Sequence, residues 1–306
     1  MDKHLNRYQM LFTLGFIFML AVAVGAFFTG VEIGSSRTES RFEAKKLQAS
    51  SAKTTSAYSQ QDLVSFYHTV FSPYREFQSE WLEMESRLES RSATLSTGML
   101  EQLADLATKK RKEIEAVANE HKSGLLADSR ASYLASLDNF NAAAKRQKTA
   151  AAGSSPDIFL VTLRADKDYK KGSNLSLIGQ NNYYGAMLSW ASSTNSDIPS
   201  RIELSGVMSL KQWSSSPLTV KNKLVADLLS KRGQMNAYLP QDLSGAVDQL
   251  IESGEAERLN LGSLQSAAEL LSGTGAVRSG DFWAIKPRLY SSEVLPQLPF
   301  FLPPEG

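Results

Sequence analysis

From Tyr8 to Val31 the chain carries no charged side chain, and MLFTLGFIFMLAVAVGAFF lies at the heart of that run. As a helix rising about 1.5 Å per residue it would reach about 36 Å, enough to cross a hydrocarbon core of about 30 Å with some tilt. Everything after it is polar enough to be soluble. The expectation is a mainly α protein with a single N-terminal transmembrane helix, residues 10–31, behind a short tail, residues 1–9.

A cleaved signal peptide is the competing reading, since Lys3 and Arg7 precede the run and Ala23 and Gly25 suit a cleavage site. The apolar run is longer than a signal core, which favours a retained anchor. Orientation rests on opposing signals. Arg37, Arg41, Lys45 and Lys46 follow the span, so a plain count of basic residues near its ends favours the body inside. Basic residues directly before a first hydrophobic segment are the ordinary export arrangement, and on that ground the body is placed outside, at the cell envelope. The chain has no cysteine, which suits an extracytoplasmic body but leaves it no disulfide framework.

Beyond the anchor the charges balance, with 33 basic and 32 acidic side chains in the whole chain. That argues against a dedicated nucleic-acid partner. Residues 32–60 read as a juxtamembrane stalk, rich in Arg, Glu, Lys, Ser and Ala, with few large apolar residues to build a core. From Gln61 a pattern sharpens: Leu63, Tyr67, Val70, Tyr74, Phe77, Trp81, Met84 and Leu88 alternate spacings of four and three. This is the seam of an amphipathic helix packing on other helices. Pro73 sits inside it, so either the helix kinks there or a new one starts with Ser72 as its cap. Leu103, Ala107, Lys110, Ile114, Val117 and His121 share a second register. After a slip near Gly124, Leu126, Arg130, Tyr133, Leu137, Phe140 and Ala144 share a third. Residues 61–150 are therefore expected to form an elongated helical bundle.

The small-residue stretch Thr149–Pro156 marks an internal boundary, with a second, compact, mostly helical domain over residues 151–294. Ile158–Leu163 reads as a buried strand or a helix opened by Ser155 and Pro156, the helix being preferred. Arg201–Leu210 reads as a strand. Helices then return with proline in and glycine out, Pro217 to Gly233 and Pro240 to Gly254, and a third, Leu264–Leu271, is ended by Gly273. Residues 295–306 form a proline-rich tail that cannot continue a helix.

Chemistry is sparse. His4, His68 and His121 are too scattered for a metal site, and Ser65 and Ala118 stand where paired carboxylates would precede the two helical histidines. Gly273-Thr-Gly275 lacks the third glycine of a dinucleotide loop because Arg278 occupies it, and Asp281 stands where a phosphate loop needs lysine. Ser50-Ser-Ala-Lys53 matches a serine–lysine spacing expected by chance in such a stalk. No cofactor is expected, and enzymatic activity is the weaker expectation, since a carboxylate pair assembled in space would leave no spacing rule.

Three surfaces are candidates for binding. Asn181, Asn182, Tyr183, Tyr184 and Trp190 could line an aromatic and amide pocket for a saccharide or peptide fragment, or serve as core aromatics. Lys109, Lys110, Arg111 and Lys112 could meet an anionic partner, or be a solvated face among glutamates, and Lys145, Arg146 and Lys148 form a second such cluster. Pro296, Pro299, Phe300 and Phe301 could be a polyproline-type ligand, or drape over their own domain. The functional expectation is a membrane-anchored, non-catalytic scaffold or assembly factor. It would touch the bilayer through residues 10–31 and a protein partner, or a second copy of itself, through its helical seam. The alternatives are a ligand-sensing module and, last, a carboxylate-dependent hydrolase.

Overall fold

The computed structural model describes residues 58–117 and 124–302. The expected anchor, its N-terminal tail, the stalk up to residue 57, His121 and the last two prolines lie outside the described residues. Among the described residues the protein is mainly α-helical and has no strand. None of these helices is long and apolar enough to cross a membrane.

The seam from Leu63 to Leu88 is one helical rod in three parts. Helix α1 (Gln60–Phe66) opens at Ser59, whose hydroxyl accepts the Asp62 N–H while the Asp62 carboxylate accepts the Ser59 N–H. The two bonds satisfy donors that a bare helix start leaves open. A π turn follows at Tyr67–Phe71, and α2 (Ser72–Glu89) carries Pro73 in its first turn. Proline has no N–H to give the preceding turn and its ring needs space there. The wider turn just before it accommodates both needs. Ser72 has helical backbone angles, φ −62° and ψ −48°, so it is not a cap and the rod runs on. Leu63, Val70, Tyr74, Phe77, Trp81, Met84 and Leu88 are all buried.

Helices α3 (Thr97–Ala116) and α4 (Leu125–Ala151) lie side by side and antiparallel. Contacts pair Ile114 with Arg130, Thr108 with Asn141, and Glu101 with Lys148, one number falling as the other rises. The register slip falls at Gly124, whose φ of 89° suits a residue without a side chain. Arg130 donates back to the carbonyls of Ile114, Glu115 and Val117, acceptors that the end of α3 leaves without helical partners.

Helix α5 (Pro156–Ala165) confirms the helical reading of Ile158–Leu163, although the Ser155 side chain makes no capping bond. Asp166 caps α6 (Lys167–Thr194), accepting the N–H groups of Asp168 at 2.8 Å and Tyr169 at 3.2 Å. Helix α6 runs antiparallel to α4 at very close range. Ser129 Oγ donates to the Gly179 carbonyl and Ser136 Oγ to the Gly172 carbonyl, each at 2.7 Å. Buried residues on both sides of the stretch 149–156 belong to one hydrophobic cluster.

Arg201–Leu210 is not a strand. It has no neighbour to form a ladder with, apart from an isolated bridge between Ser209 and Ser263. Side chains satisfy its backbone instead: the Leu204 N–H donates to Asp227 Oδ2 at 2.9 Å, and Lys231 donates to the Leu204 carbonyl. Short helices follow: α7 (Leu210–Ser214), α8 (Leu218–Arg232), α9 (Pro240–Glu252), α10 (Glu255–Arg258), α11 (Leu264–Gly273) and α12 (Asp281–Leu289). Gly233 ends α8 in the left-handed region and Gly254 follows α9 in the same region. Helix α8 is enclosed on nearly every side, with Lys221, Asn222, Lys223 and Asp227 buried beside its aliphatic residues. Lys221 pairs with Asp248 at 2.7 Å and Lys223 with Asp227 at 2.5 Å, so these charges are buried in pairs, as low-dielectric surroundings require. The Asp242 carboxylate, at the start of α9, accepts the N–H groups of Leu239, Gly280 and Phe282 and so ties α9 to α12.

Candidate interaction groove

Beside the buried seam of α2 runs a second stripe, Glu76, Glu80, Glu83 and Arg87, at helical spacings of four, three and four. This stripe walls an open groove of about 910 Å³ between α2 and α3. Its floor is apolar: Met84 and Leu103 are buried, while Met99 and Leu106 are half-buried. The opposite wall, from α3, is uncharged and includes Ser96, Gly98 and Gln102. Ser96 also caps α3 by accepting the Met99 N–H at 3.2 Å, which sets the first turn of α3 at one end of the groove.

The electrostatics of the acidic wall are graded. Glu76 bonds Lys110, which also meets Glu113 at 3.0 Å. Burial alone would lower the pKa of the Lys110 ammonium, but the two carboxylates outweigh it and raise it. Glu83 bonds Arg87 across one turn. Glu80 is exposed and makes no ion pair with any described residue. Arg75 is fixed at the other end of the groove, donating to Gln78 Oε1 at 2.8 Å and to the Ala237 carbonyl at 2.6 Å. Burial lowers its pKa from the ordinary arginine value, against the opposing influence of Tyr133 and Tyr184. The arrangement suits seating apolar side chains with cations along one edge. Among the described residues no group of three His, Asp or Glu is placed to share a metal ion.

The residues singled out from sequence lie elsewhere. Tyr183 and Tyr184 are core residues, 0% and 1% exposed. The Tyr183 hydroxyl donates to the Leu63 carbonyl at 2.8 Å and the Tyr184 hydroxyl to Gln241 Oε1. Burial raises the pKa of both phenols well above the usual value. Trp190 is buried, and Asn181 and Asn182 are half-buried. The proposed aromatic pocket is therefore corrected: α6 turns these rings inward, where α1 and α9 consume their hydroxyls.

The basic run is likewise divided. Lys110 is buried in its ion pairs, and Arg111 bonds Glu115 and Asp138, while Lys109 and Lys112 face solvent. The tail also packs inward. Pro296, Phe300 and Phe301 are buried and Pro299 alone of the four is exposed. Phe300 lies 5.6 Å from Tyr67 and 5.7 Å from Phe71 between ring centroids. Trp283 Nε1 and Lys286 Nζ donate to the carbonyls of Phe300 and Phe301. These two phenylalanines belong to the core, which corrects the polyproline-ligand reading. The groove itself was missed. Its only trace in the sequence is the Glu76–Arg87 stripe flanking the seam, and a charged stripe on a helix is ordinarily just a solvated face.

Comparison with protein-family models, characterised proteins and solved structures returns no match to this chain.

Proposed function

We propose that the chain is a non-catalytic, single-pass membrane protein that acts as a scaffold or assembly factor at the cell envelope. Residues 10–31 are the tether, the helical body stands outside the cell membrane, and the groove between α2 and α3 is the docking surface. The groove is the observation that carries this reading. Its floor of Met84, Met99, Leu103 and Leu106 suits the apolar face of a partner's amphipathic helix, and methionines adapt to the shape of what they hold. Glu80, the wall carboxylate without an ion pair among the described residues, favours a partner helix with Lys or Arg on the matching side.

The test places a photo-crosslinking residue at Gln102 of the full-length protein in its native membranes. The expected result is one dominant adduct whose crosslink maps to a basic amphipathic segment. The adduct is also expected to disappear when Met99→Lys and Leu106→Glu are introduced without loss of helical signal. An adduct that survives those substitutions, or no adduct at all, overturns the reading.

A further inference from the structure

Helix α5 carries apolar residues on its outer face as well as its inner one. Phe159, Leu160 and Leu163 are buried, yet Ile158 is 63% and Val161 70% exposed. Ala165 is exposed as well, and these three stand three and four residues apart on one outer stripe. The inner apolar face of this helix is already buried, so an open aliphatic stripe on its outer face marks a contact surface.

The charge at the end of the bundle that carries this stripe is unbalanced. The last turns of α4, all of α5 and the first turn of α6 meet at the same end of the bundle, joined through Asp166. Every carboxylate placed there is already held: Glu85 and Glu89 by Arg164, Asp157 by Arg91, Asp166 and Asp168 by Arg146. Lys145, Lys167, Lys170 and Lys171 are exposed and form no ion pair with any described residue. Five carboxylates shared among three arginines leave two negative charges, and the four lysines exceed them, so the net charge at this end is positive.

We propose that the outer face of α5 is an interfacial contact for an anionic lipid surface. Ile158 and Val161 enter the boundary between headgroups and acyl chains, and the four lysines lie against lipid phosphates. Exposed aliphatic residues at the same end of the bundle as unpaired lysines are the combination such interfaces select, because the lysine stem is apolar while its ammonium stays among the headgroups. A protein partner would find few hydrogen-bonding groups on this stripe beyond Thr162. The inference does not rest on the proposed tether or on the groove.

The chain has no cysteine, so Val161→Cys gives a single site for an environment-sensitive fluorophore in the full-length protein. Val207→Cys, at a position 77% exposed and outside α5, is the control. Both are mixed with vesicles of phosphatidylcholine, alone or with phosphatidylglycerol. The label at 161 is expected to shift to the blue and to be quenched by a bilayer-embedded quencher only when phosphatidylglycerol is present, while the label at 207 stays unchanged. Lys167→Glu, Lys170→Glu and Lys171→Glu together are expected to weaken the response roughly tenfold or more, with the helical signal intact. A silent label at 161, an equal response in neutral vesicles, or a shift that depends on protein concentration without lipid overturns the proposal. Extraction of membranes with carbonate separates the two ideas. A chain that is released while its label still responds to added vesicles removes the tether alone.

Discussion

Asp166 shows how much one side chain can hold. It is 8% exposed and accepts bonds from Arg146, Gln147 and the N–H groups of Asp168 and Tyr169. Burial would raise its pKa, but the Gln147 amide, the Arg146 guanidinium and the two backbone donors outweigh that and hold it below the ordinary carboxylate value. A carboxylate lowered on folding contributes stability that is fully present above its unfolded pKa and is lost as pH falls through its folded pKa. Asp166→Asn keeps an oxygen to cap the helix but loses the charge-assisted bonds from Arg146, and is thus expected to cost about 1–2 kcal/mol at neutral pH. The gap from the parent should close as the medium becomes more acid than the carboxylate range. Urea unfolding at a series of pH values checks this, and a constant gap would refute it. Asp242 acts in the opposite sense. Burial raises its pKa despite three backbone donors, so its contribution is greatest in acid and fades as pH rises through its folded pKa. The difference between variant and parent, rather than the raw acid curve, isolates Asp166. Neither residue stands out in the sequence, because one aspartate before a helix resembles many others until its partners are known.

At the scale of elements, the pairing of α4 with α6 is decided by what is missing from one of them. A Cβ at Gly179 would lie 2.9 Å from Cε1 of Tyr133, and one at Gly172 would lie 3.0 Å from Cδ2 of Phe140. Those rings belong to the aromatic column in which Tyr133 packs at a tilt against Tyr74, 4.2 Å between centroids, and Phe140 against Trp81 at 4.6 Å. Its rings are fully buried among other side chains and cannot yield cheaply. Gly179→Ala should therefore destabilise the protein by about 1–3 kcal/mol through overpacking. Gly98→Ala makes the contrast: it also sits in a helix, but its Cβ would meet nothing within 4 Å. That substitution should be neutral or raise stability by up to about 1 kcal/mol, because alanine has less freedom to lose on folding. Chemical denaturation of the two variants decides the matter, and a similar loss in both would show that close approach is not what the glycine at 179 serves. Glycine inside a helix is visible in the sequence as a local weakness. Which ring it admits is not.

For the whole molecule, the two ends of the described chain are joined through the core. The Gln297 N–H donates to Gln60 Oε1 at 3.2 Å, Phe300 packs against Tyr67 and Phe71 of the π turn and Tyr184 of α6, and Phe301 packs against Phe282 of α12. Phe301→Ala is expected to cost about 3–5 kcal/mol, the usual loss for a buried aromatic ring, measured as a drop in the urea midpoint. An unchanged midpoint would mean that the tail only rests on the surface. Deletion of residues 1–57 should leave a helical body with a single cooperative melt and should move the protein out of the membrane fraction. A body that no longer melts cooperatively would place part of its stability in the deleted segment. The sequence alone determined the helical character, the seam from Leu63 to Leu88, and the proline and glycine boundaries of α8 and α9, because spacing and capping act within a few residues. Only the tertiary structure decided that Tyr183 and Tyr184 point inward, that charged residues of α8 are buried in pairs, that the tail is core, and that α2 and α3 leave a groove. Burial depends on partners far apart in the chain, as when the Tyr183 hydroxyl finds the Leu63 carbonyl 120 residues away, and no local pattern carries that information.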